Sequence, residues 1–302
     1  MSPSSPTLSV IICSYNRDQF IGEALDSLTR QQLPKEQFEI LIINNNSTDR
    51  TAEISQDFVK AHPELNARYF LETNQGLSFA RNRGLKEAKG AIITYIDDDA
   101  IATPDFLLQI HQFMEARPEV AGVGGKVIPR YEIEEPKWMN KYLYGFVTKV
   151  DLGEKIIQYR GNAYPAGCNM TYRRALLEQV GGFNNELKWR ADDKYIYFEI
   201  CKLSDQVYYL PQAKVQHHID AHRTSDENFV KLSKRFGSEE RIRVLGLGAA
   251  AYAKKVMEFI YKFVGSAVLA LGFAMRFQFS KGWYTFQYRY YALMALLGWT
   301  QP

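Results

Sequence analysis

At 302 residues the chain is long enough for one large domain with an appendage, and 46% hydrophobic against 24% charged residues excludes a disordered chain. The net charge of +3 is unevenly spread: residues 1–220 carry 25 Lys and Arg against 29 Asp and Glu, whereas residues 221–302 carry 12 against 5. A mildly acidic body under a basic tail lacks the patch that nucleic-acid binding needs, so nucleic acid is excluded as a partner.

Leu8–Cys13 is a continuous apolar run, the pattern of a strand covered on both faces. A polar loop, Ser14-Tyr15-Asn16-Arg17, leads to a helix with Ile21, Ala24, Leu25 and Leu28 on one face. Phe38–Ile43 is a second buried strand, ending in Asn44-Asn45-Asn46-Ser47-Thr48-Asp49, small polar residues that turn the chain and cap a helix carrying Ile54, Phe58 and Ala61. A short strand, Arg68–Leu71, a helix, Gly76–Ala88, a strand, Gly90–Asp99, and a helix, Pro104–Ala116, complete the series. This strand–helix alternation predicts a mostly parallel, doubly wound α/β sheet. Thr103 and Pro104 read as the N-cap and first residue of the last helix.

The fourth strand runs straight into Asp97, Asp98 and Asp99. Adjacent anions repel unless a cation or solvent takes up their charge, so the triplet reads either as a site for Mg²⁺ or Mn²⁺ with a diphosphate, or as a solvated acidic turn. Three polar strand ends, Ser14–Arg17, Asn44–Asp49 and Asp97–Asp99, would line one sheet edge and converge on one ligand. Neither G-x-G-x-x-G after the first strand nor G-x-x-x-x-G-K-[ST] occurs, which counts against dinucleotide oxidoreductases and P-loop NTPases. Beyond residue 125 the rhythm changes to a mixed segment. It contains Pro165–Tyr172, a helix over Arg173–Val180 stopped at Gly181-Gly182, a second acidic pair Asp192-Asp193 opening a helix-like run to Leu203, and a strand Val207–Leu210 leading to His217 and His218. Cys13, Cys168 and Cys201 are too scattered for a disulfide framework or a zinc cluster and read as reduced thiols of a cytosolic protein.

In order and spacing, over about residues 7–225, the chain resembles the family 2 glycosyltransferases, inverting nucleotide-diphospho-sugar enzymes of the GT-A fold. The resemblance is carried by Val10–Arg17, Ile42–Thr51, Asn74-Gln75-Gly76 with Ala80-Arg81-Asn82 and Gly84, Asp97-Asp98-Asp99, Gly167-Cys168-Asn169-Met170 with Arg173-Arg174, Gly181-Gly182-Phe183, Asp192-Asp193, and Val215 with His217. It implies a catalytic domain over residues 1–225 with a C-terminal helical region over 226–302. It further implies that Ser14, Tyr15, Arg17 and Asn44 hold the base and that Arg81 meets the nucleotide or its diphosphate. Asp97 would face the ribose, Asp98 would contact the donor or cap the turn, and Asp99 would ligate Mn²⁺ or Mg²⁺. His217 would be a further ligand or a structural histidine. The family usually has Asp where this chain has Asn44, and because an amide donates as well as accepts, that departure leaves the base preference open. The resemblance implies a UDP-sugar as the favoured donor, with a GDP-sugar the alternative. Inverting displacement needs a carboxylate to take the acceptor proton, implying Asp193, with Asp192 next; either could instead cap its helix. Trp138, Trp189 and Tyr142 fit an acceptor platform or, by default, aromatic core.

From Phe229 onward the sequence is helical, with Lys254, Lys255, Lys262, Arg276, Lys281 and Arg289 interleaved with aromatic residues. Such helices lie in membrane interfaces, although a lid on the catalytic domain or a homo-oligomer interface is the other reading. The longest uncharged apolar stretch, Phe263–Met275, is too short to span a bilayer, and the N-terminus lacks the pattern of a signal peptide. The expected setting is therefore cytoplasmic, peripheral on the inner face of the plasma membrane, with a glycan or lipid-linked acceptor. A sugar-phosphate nucleotidyltransferase would want a Gly-rich basic signature after the first strand, and a catalytically inactive subunit would not need both acidic clusters.

Overall fold

The computed structural model describes residues 6–161, 163–186 and 192–300. Nine strands, β1 (Leu8–Ser14), β2 (Phe38–Asn44), β3 (Ala67–Leu71), β4 (Ile92–Asp97), β5 (Ala100–Ala102), β6 (Gly122–Tyr131), β7 (Ile157–Gln158), β8 (Met170–Arg173) and β9 (Val207–Ile219), form one sheet among the described residues. Its order is β3-β2-β1-β4-β8-β6-β9-β5, with β7 added on β9. Six α-helices accompany it: α1 (Ile21–Thr29), α2 (Thr51–Ala61), α3 (Leu77–Glu87), α4 (Phe106–Glu115), α5 (Arg174–Gln179) and α6 (Asp192–Cys201).

The β3-β2-β1-β4 half is parallel, as the continuous apolar runs predict: every residue of β2 is buried. The other half is not parallel. β8 pairs antiparallel with β4 and β6, and β9 with β5 and β7. Between β6 and β8 the described residues form no α-helix, and antiparallel pairing needs no crossover helix. Leu25, Leu28, Phe106, Ile110 and Met114 cover one sheet face with the side chains of Val10, Ile12, Ile40 and Ile42. Leu85, Leu177, Phe183 and Ile196 cover the other with Ile11, Leu41, Ile43 and Tyr95.

The predicted strand over Gly90–Asp99 is in fact two. β4 stops at Asp97, the chain turns at Asp98 and Asp99, and β5 crosses to pair with β9, setting Ala100 opposite His217. The three aspartates thus sit where the chain leaves the parallel half. Thr103 does not cap α4: the helix begins at Phe106, and the Thr103 hydroxyl donates to Asp105 Oδ1 at 2.9 Å and to the Lys214 carbonyl at 3.2 Å.

One core carboxylate lies far from the aspartates. Glu39 is fully buried in β2; Oε1 accepts from Ser9 Oγ and the Lys89 amide at 2.6 Å, and Oε2 from Arg68 at 2.6 Å. Glu39→Ala leaves these donors without their acceptor and is expected to cost ~3–5 kcal/mol in urea unfolding. An unchanged unfolding midpoint would show that Glu39 carries no such weight.

Packing divides the chain into two units, residues 1–128 with 150–217, and residues 129–149 with 218–302. The second is built from α7 (Asp226–Leu245), α8 (Ala249–Ala274) and α9 (Phe279–Leu297). Its core is aromatic: Trp138 stacks on Tyr284 with centroids 5.1 Å apart, and Phe146 on Phe229 at 4.6 Å. Trp138 is therefore core, as aromatic packing predicts, and Tyr142 is exposed; Trp189 lies outside the described residues. At Gly237 a Cβ would stand 2.0 Å from the Ala292 carbonyl, so α7 and α9 cross at a distance only glycine permits.

The expectation that no segment is long enough to span a bilayer is corrected by α8. It runs 26 residues, contains an 18-residue window of mean hydropathy 1.6, and only 6% of that window is buried. By length and composition alone it could cross a membrane. Counting the uncharged run missed this because Glu258 pairs with both Lys255 and Lys262, so the charges that interrupt the run offset one another.

Candidate active site

The first unit gathers the polar strand ends. The turn after β1 is locked to the turn after β2: Asn16, at φ 52°, accepts from the Thr48 amide at 2.8 Å, and its own amide donates to Ser47 Oγ at 3.0 Å. Ser14 is buried and donates to Asp98 Oδ2 at 2.5 Å. Tyr15 is exposed, and the Arg17 guanidinium lies 5.6 Å from the centre of the Phe20 ring. Asn44 is buried with both ends of its amide engaged: Oδ1 accepts from the Ser47 amide at 3.0 Å and Nδ2 donates to the Tyr69 hydroxyl at 2.9 Å. An aspartate there would keep the Ser47 bond and accept from Tyr69, so Asn44 in place of Asp reverses one internal hydrogen bond.

Arg81, on α3, is 3% exposed and joins the two acidic clusters. Nη1 bonds Asp192 at the start of α6, while Nη2 reaches Asp97 Oδ1 at 3.3 Å and the Gly167 carbonyl at 3.4 Å. Burial disfavours its charge, but Asp192 and then Asp97 outweigh that and hold it firmly protonated. Gly167 is a fitted neighbour, since a Cβ there would stand 2.8 Å from Arg81 Nη2. The alternative of an exposed helix arginine is corrected by its burial, and the side chain ties together carboxylates 95 residues apart in sequence, Asp97 and Asp192.

The carboxylates are unlike one another. Asp98 is pushed up to about 8, first by burial and then by Asp99, with the Ser14 hydrogen bond opposing. Asp193 is pushed up to about 6, first by burial and then by Asp192, with Arg81 opposing. Its Oδ2 accepts from the Gly167 amide at 3.2 Å and its Oδ1 from the Lys194 amide at 2.7 Å. Asp99 Oδ1 lies 3.1 Å from His217 Nε2. The buried Nδ1 of His217 has no hydrogen-bond partner among the described residues. Single donor atoms of Asp97, Cys168 and His217 lie within 4.8 Å of one another. A carboxylate oxygen and an imidazole nitrogen close together, amid further carboxylates served by one guanidinium, fit a divalent cation.

Sequence reasoning gave Cys168 no place in the site. Its signal was position: Gly167-Cys168-Asn169 stands immediately before β8, the antiparallel neighbour of β4, which carries Cys168 to the end of the Asp97 strand. Asn82 was likewise only part of a pattern. It clamps the Gly-Gly-Phe turn, accepting from the Phe183 amide at 2.8 Å and donating to the Phe183 carbonyl at 2.7 Å, which brings the Phe183 ring to 5.5 Å from the Arg81 guanidinium.

Known proteins resemble this chain in sequence and in fold. The sequence model described as "Glycosyl transferase family 2" matches residues 9–181. A glucosyl-dolichyl phosphate glucuronosyltransferase of Haloferax volcanii is 25% identical over 266 residues, covering 84% of this chain and 78% of its own. The poly(ribitol-phosphate) beta-N-acetylglucosaminyltransferase TarS of Staphylococcus aureus is 28% identical over 247 residues, covering 76% of this chain, which spans only 40% of that protein. Among solved structures, a mannosyltransferase from Pyrobaculum calidifontis in complex with GDP-Man and Mn²⁺ superposes with a TM-score of 0.65 at 21% identity, over 98% of this chain and 88% of its own. TarS residues 1–349 in complex with UDP superpose with a TM-score of 0.57 at 22% identity, over 76% of this chain and 63% of that one. These neighbours share the GT-A fold.

Proposed function

The chain belongs to glycosyl transferase family 2, and we propose that it is a metal-dependent inverting transferase moving a sugar from a nucleotide diphosphate to a hydroxyl of a glycan or lipid-linked acceptor. The observation that supports this most is Arg81, which bonds Asp97 of the β4 cluster and Asp192 of the α6 pair and so sets a cation-binding group beside a proton-accepting one.

Asp97, Asp99 and His217 would hold Mn²⁺ or Mg²⁺, which stabilises negative charge on a departing diphosphate. Ser14, Tyr15, Arg17 and Asn44, on the two interlocked turns, would receive the base and ribose, with Asp98 fixed by Ser14 behind them. Asp193 is the base: it takes the proton of the acceptor hydroxyl as that oxygen bonds the anomeric carbon and the diphosphate leaves from the opposite side with its electron pair. Asp192 keeps Arg81 in place and, by charge, raises the proton affinity of Asp193. Relatives named for UDP and for GDP-Man complexes support a nucleotide-sugar donor, and the glucosyl-dolichyl phosphate relative supports a lipid-linked acceptor. A donor screen tests the reading: UDP, GDP, CMP and dTDP sugars are offered with and without Mn²⁺, and turnover of one nucleotide class that requires the cation is expected. Turnover of none, or turnover indifferent to chelation, would overturn it.

The tail reading is membrane association from the cytoplasmic side. Only Ser266 of α8 is buried, while Met257, Tyr261, Val264, Val268 and Leu271 are exposed along the helix, with Lys254 and Lys255 near its start. Val264→Glu with Val268→Glu and Leu271→Glu is expected to abolish co-flotation with anionic liposomes. A triple variant that still floats would remove α8 as the anchor.

A further inference from the structure

The donor set at the end of β4 is not the one hard cations alone would select. Mg²⁺ and Mn²⁺ favour oxygen ligands and tolerate imidazole, whereas a thiol at the same place is a soft donor suited to zinc. Cys168 is buried, and its sulfur lies within 4.8 Å of both the Asp97 carboxylate and a ring nitrogen of His217. Bonds of ~2.0–2.3 Å to Zn²⁺ set tetrahedral ligands roughly 3.3–3.8 Å apart, so closing the cluster takes shifts of about 1 Å. Two neighbours are already arranged for it. Asp99, with Oδ1 3.1 Å from His217 Nε2, brings negative charge to the edge of the cluster, and the Nδ1 of that buried ring has no hydrogen-bond partner among the described residues. Arg81 is shared with Asp192, which moderates its repulsion of a cation at Asp97.

We propose that Asp97, Cys168 and His217 form a Zn²⁺ site that overlaps the Mn²⁺ or Mg²⁺ site, so that zinc binds through the Cys168 thiolate and displaces the working cation. Three protein ligands leave the fourth zinc position open. Binding forms a Zn–S bond and releases the thiol proton to water; no redox change occurs. The overlap rests on the proposed metal site, whereas the zinc site itself does not.

The full chain is titrated with Zn²⁺ against a chromophoric chelator, and with Co²⁺ as a spectroscopic substitute that reports a thiolate ligand by near-ultraviolet charge transfer. The wild type and Cys201→Ser are expected to show the charge-transfer band, and Cys168→Ser and Cys168→Ala to lose it, with Zn²⁺ affinity falling at least ~10-fold. Bound Mn²⁺, followed by electron paramagnetic resonance, is expected to be released by Zn²⁺ in the wild type and to resist Zn²⁺ in the Cys168 variants, whose retained Mn²⁺ binding shows that they fold. A wild type without the band, or a Cys168 variant that binds Zn²⁺ equally well, overturns the zinc site. Zn²⁺ and Mn²⁺ bound together overturn the overlap. Zinc binding through Cys168 in a protein that never takes up Mn²⁺ overturns the overlap and the metal-dependent reading while leaving the zinc site standing.

Discussion

Asp193→Asn is expected to lower kcat for sugar transfer ~10²–10⁴-fold, the range of a lost general base, with donor affinity unchanged. The substitution leaves most of the site's structure in place. The single Asn oxygen can accept from the Lys194 amide, 2.7 Å from Asp193 Oδ1, or from the Gly167 amide, 3.2 Å from Oδ2, but not from both, while Arg81 keeps both Asp97 and Asp192. The proton acceptor disappears together with one backbone hydrogen bond. The pH profile gives a second readout. Burial, then Asp192, hold Asp193 at about 6, so the ionised base is present above that value and lost as pH falls through it. The wild-type rate should therefore drop on its acid side near pH 6, and the residual rate of the Asn variant should not share that drop. A variant with wild-type kcat would move the base to Asp192.

The parallel half of the fold was legible because its strands are buried on both faces, and continuous apolar runs such as Phe38–Ile43 carry that information in a few residues. The antiparallel half was not, because β7 is two residues long and β8 four, and their pairing depends on partners far along the chain. β9 extends to Ile219 through Pro211 and Lys214, residues that break a simple strand pattern. The carboxylates were legible as types and order, since a strand ending in Asp97-Asp98-Asp99 is improbable without a use for the charge. Their environments were not. Nothing local says that Asp98 is closed in by Ser14, that Asp99 meets His217 across the β5–β9 pairing, or that Arg81 turns inward. Cys168 shows the same limit, as one thiol among three scattered cysteines until β8 brings it to β4.

Arg81→Met should be the most destabilising single change in the site. Arg81 is the cation shared by Asp97 and Asp192, and removing one partner of a buried charge network costs ~3–5 kcal/mol because the others stay behind uncompensated. The sign of its pH dependence follows. Burial already holds Asp97 above the ordinary carboxylate value against the opposing pull of Arg81, so without Arg81 its folded-state value rises further above the unfolded one, the native state binds more protons than the unfolded chain, and stability falls as pH rises above the ordinary carboxylate range. The gap between wild type and variant, read from urea unfolding, should therefore be wider at pH 7.5 than at pH 5. Asp192→Asn sharpens the test through a double-mutant cycle. In the wild type it removes a partner of Arg81 and destabilises; in Arg81→Met it removes a repelling charge and stabilises. Opposite signs in the two backgrounds are what one guanidinium holding two acidic clusters together requires. Additive losses would mean that Asp97 and Asp192 belong to separate places, and transfer chemistry drawing on both at once would lose its geometric basis.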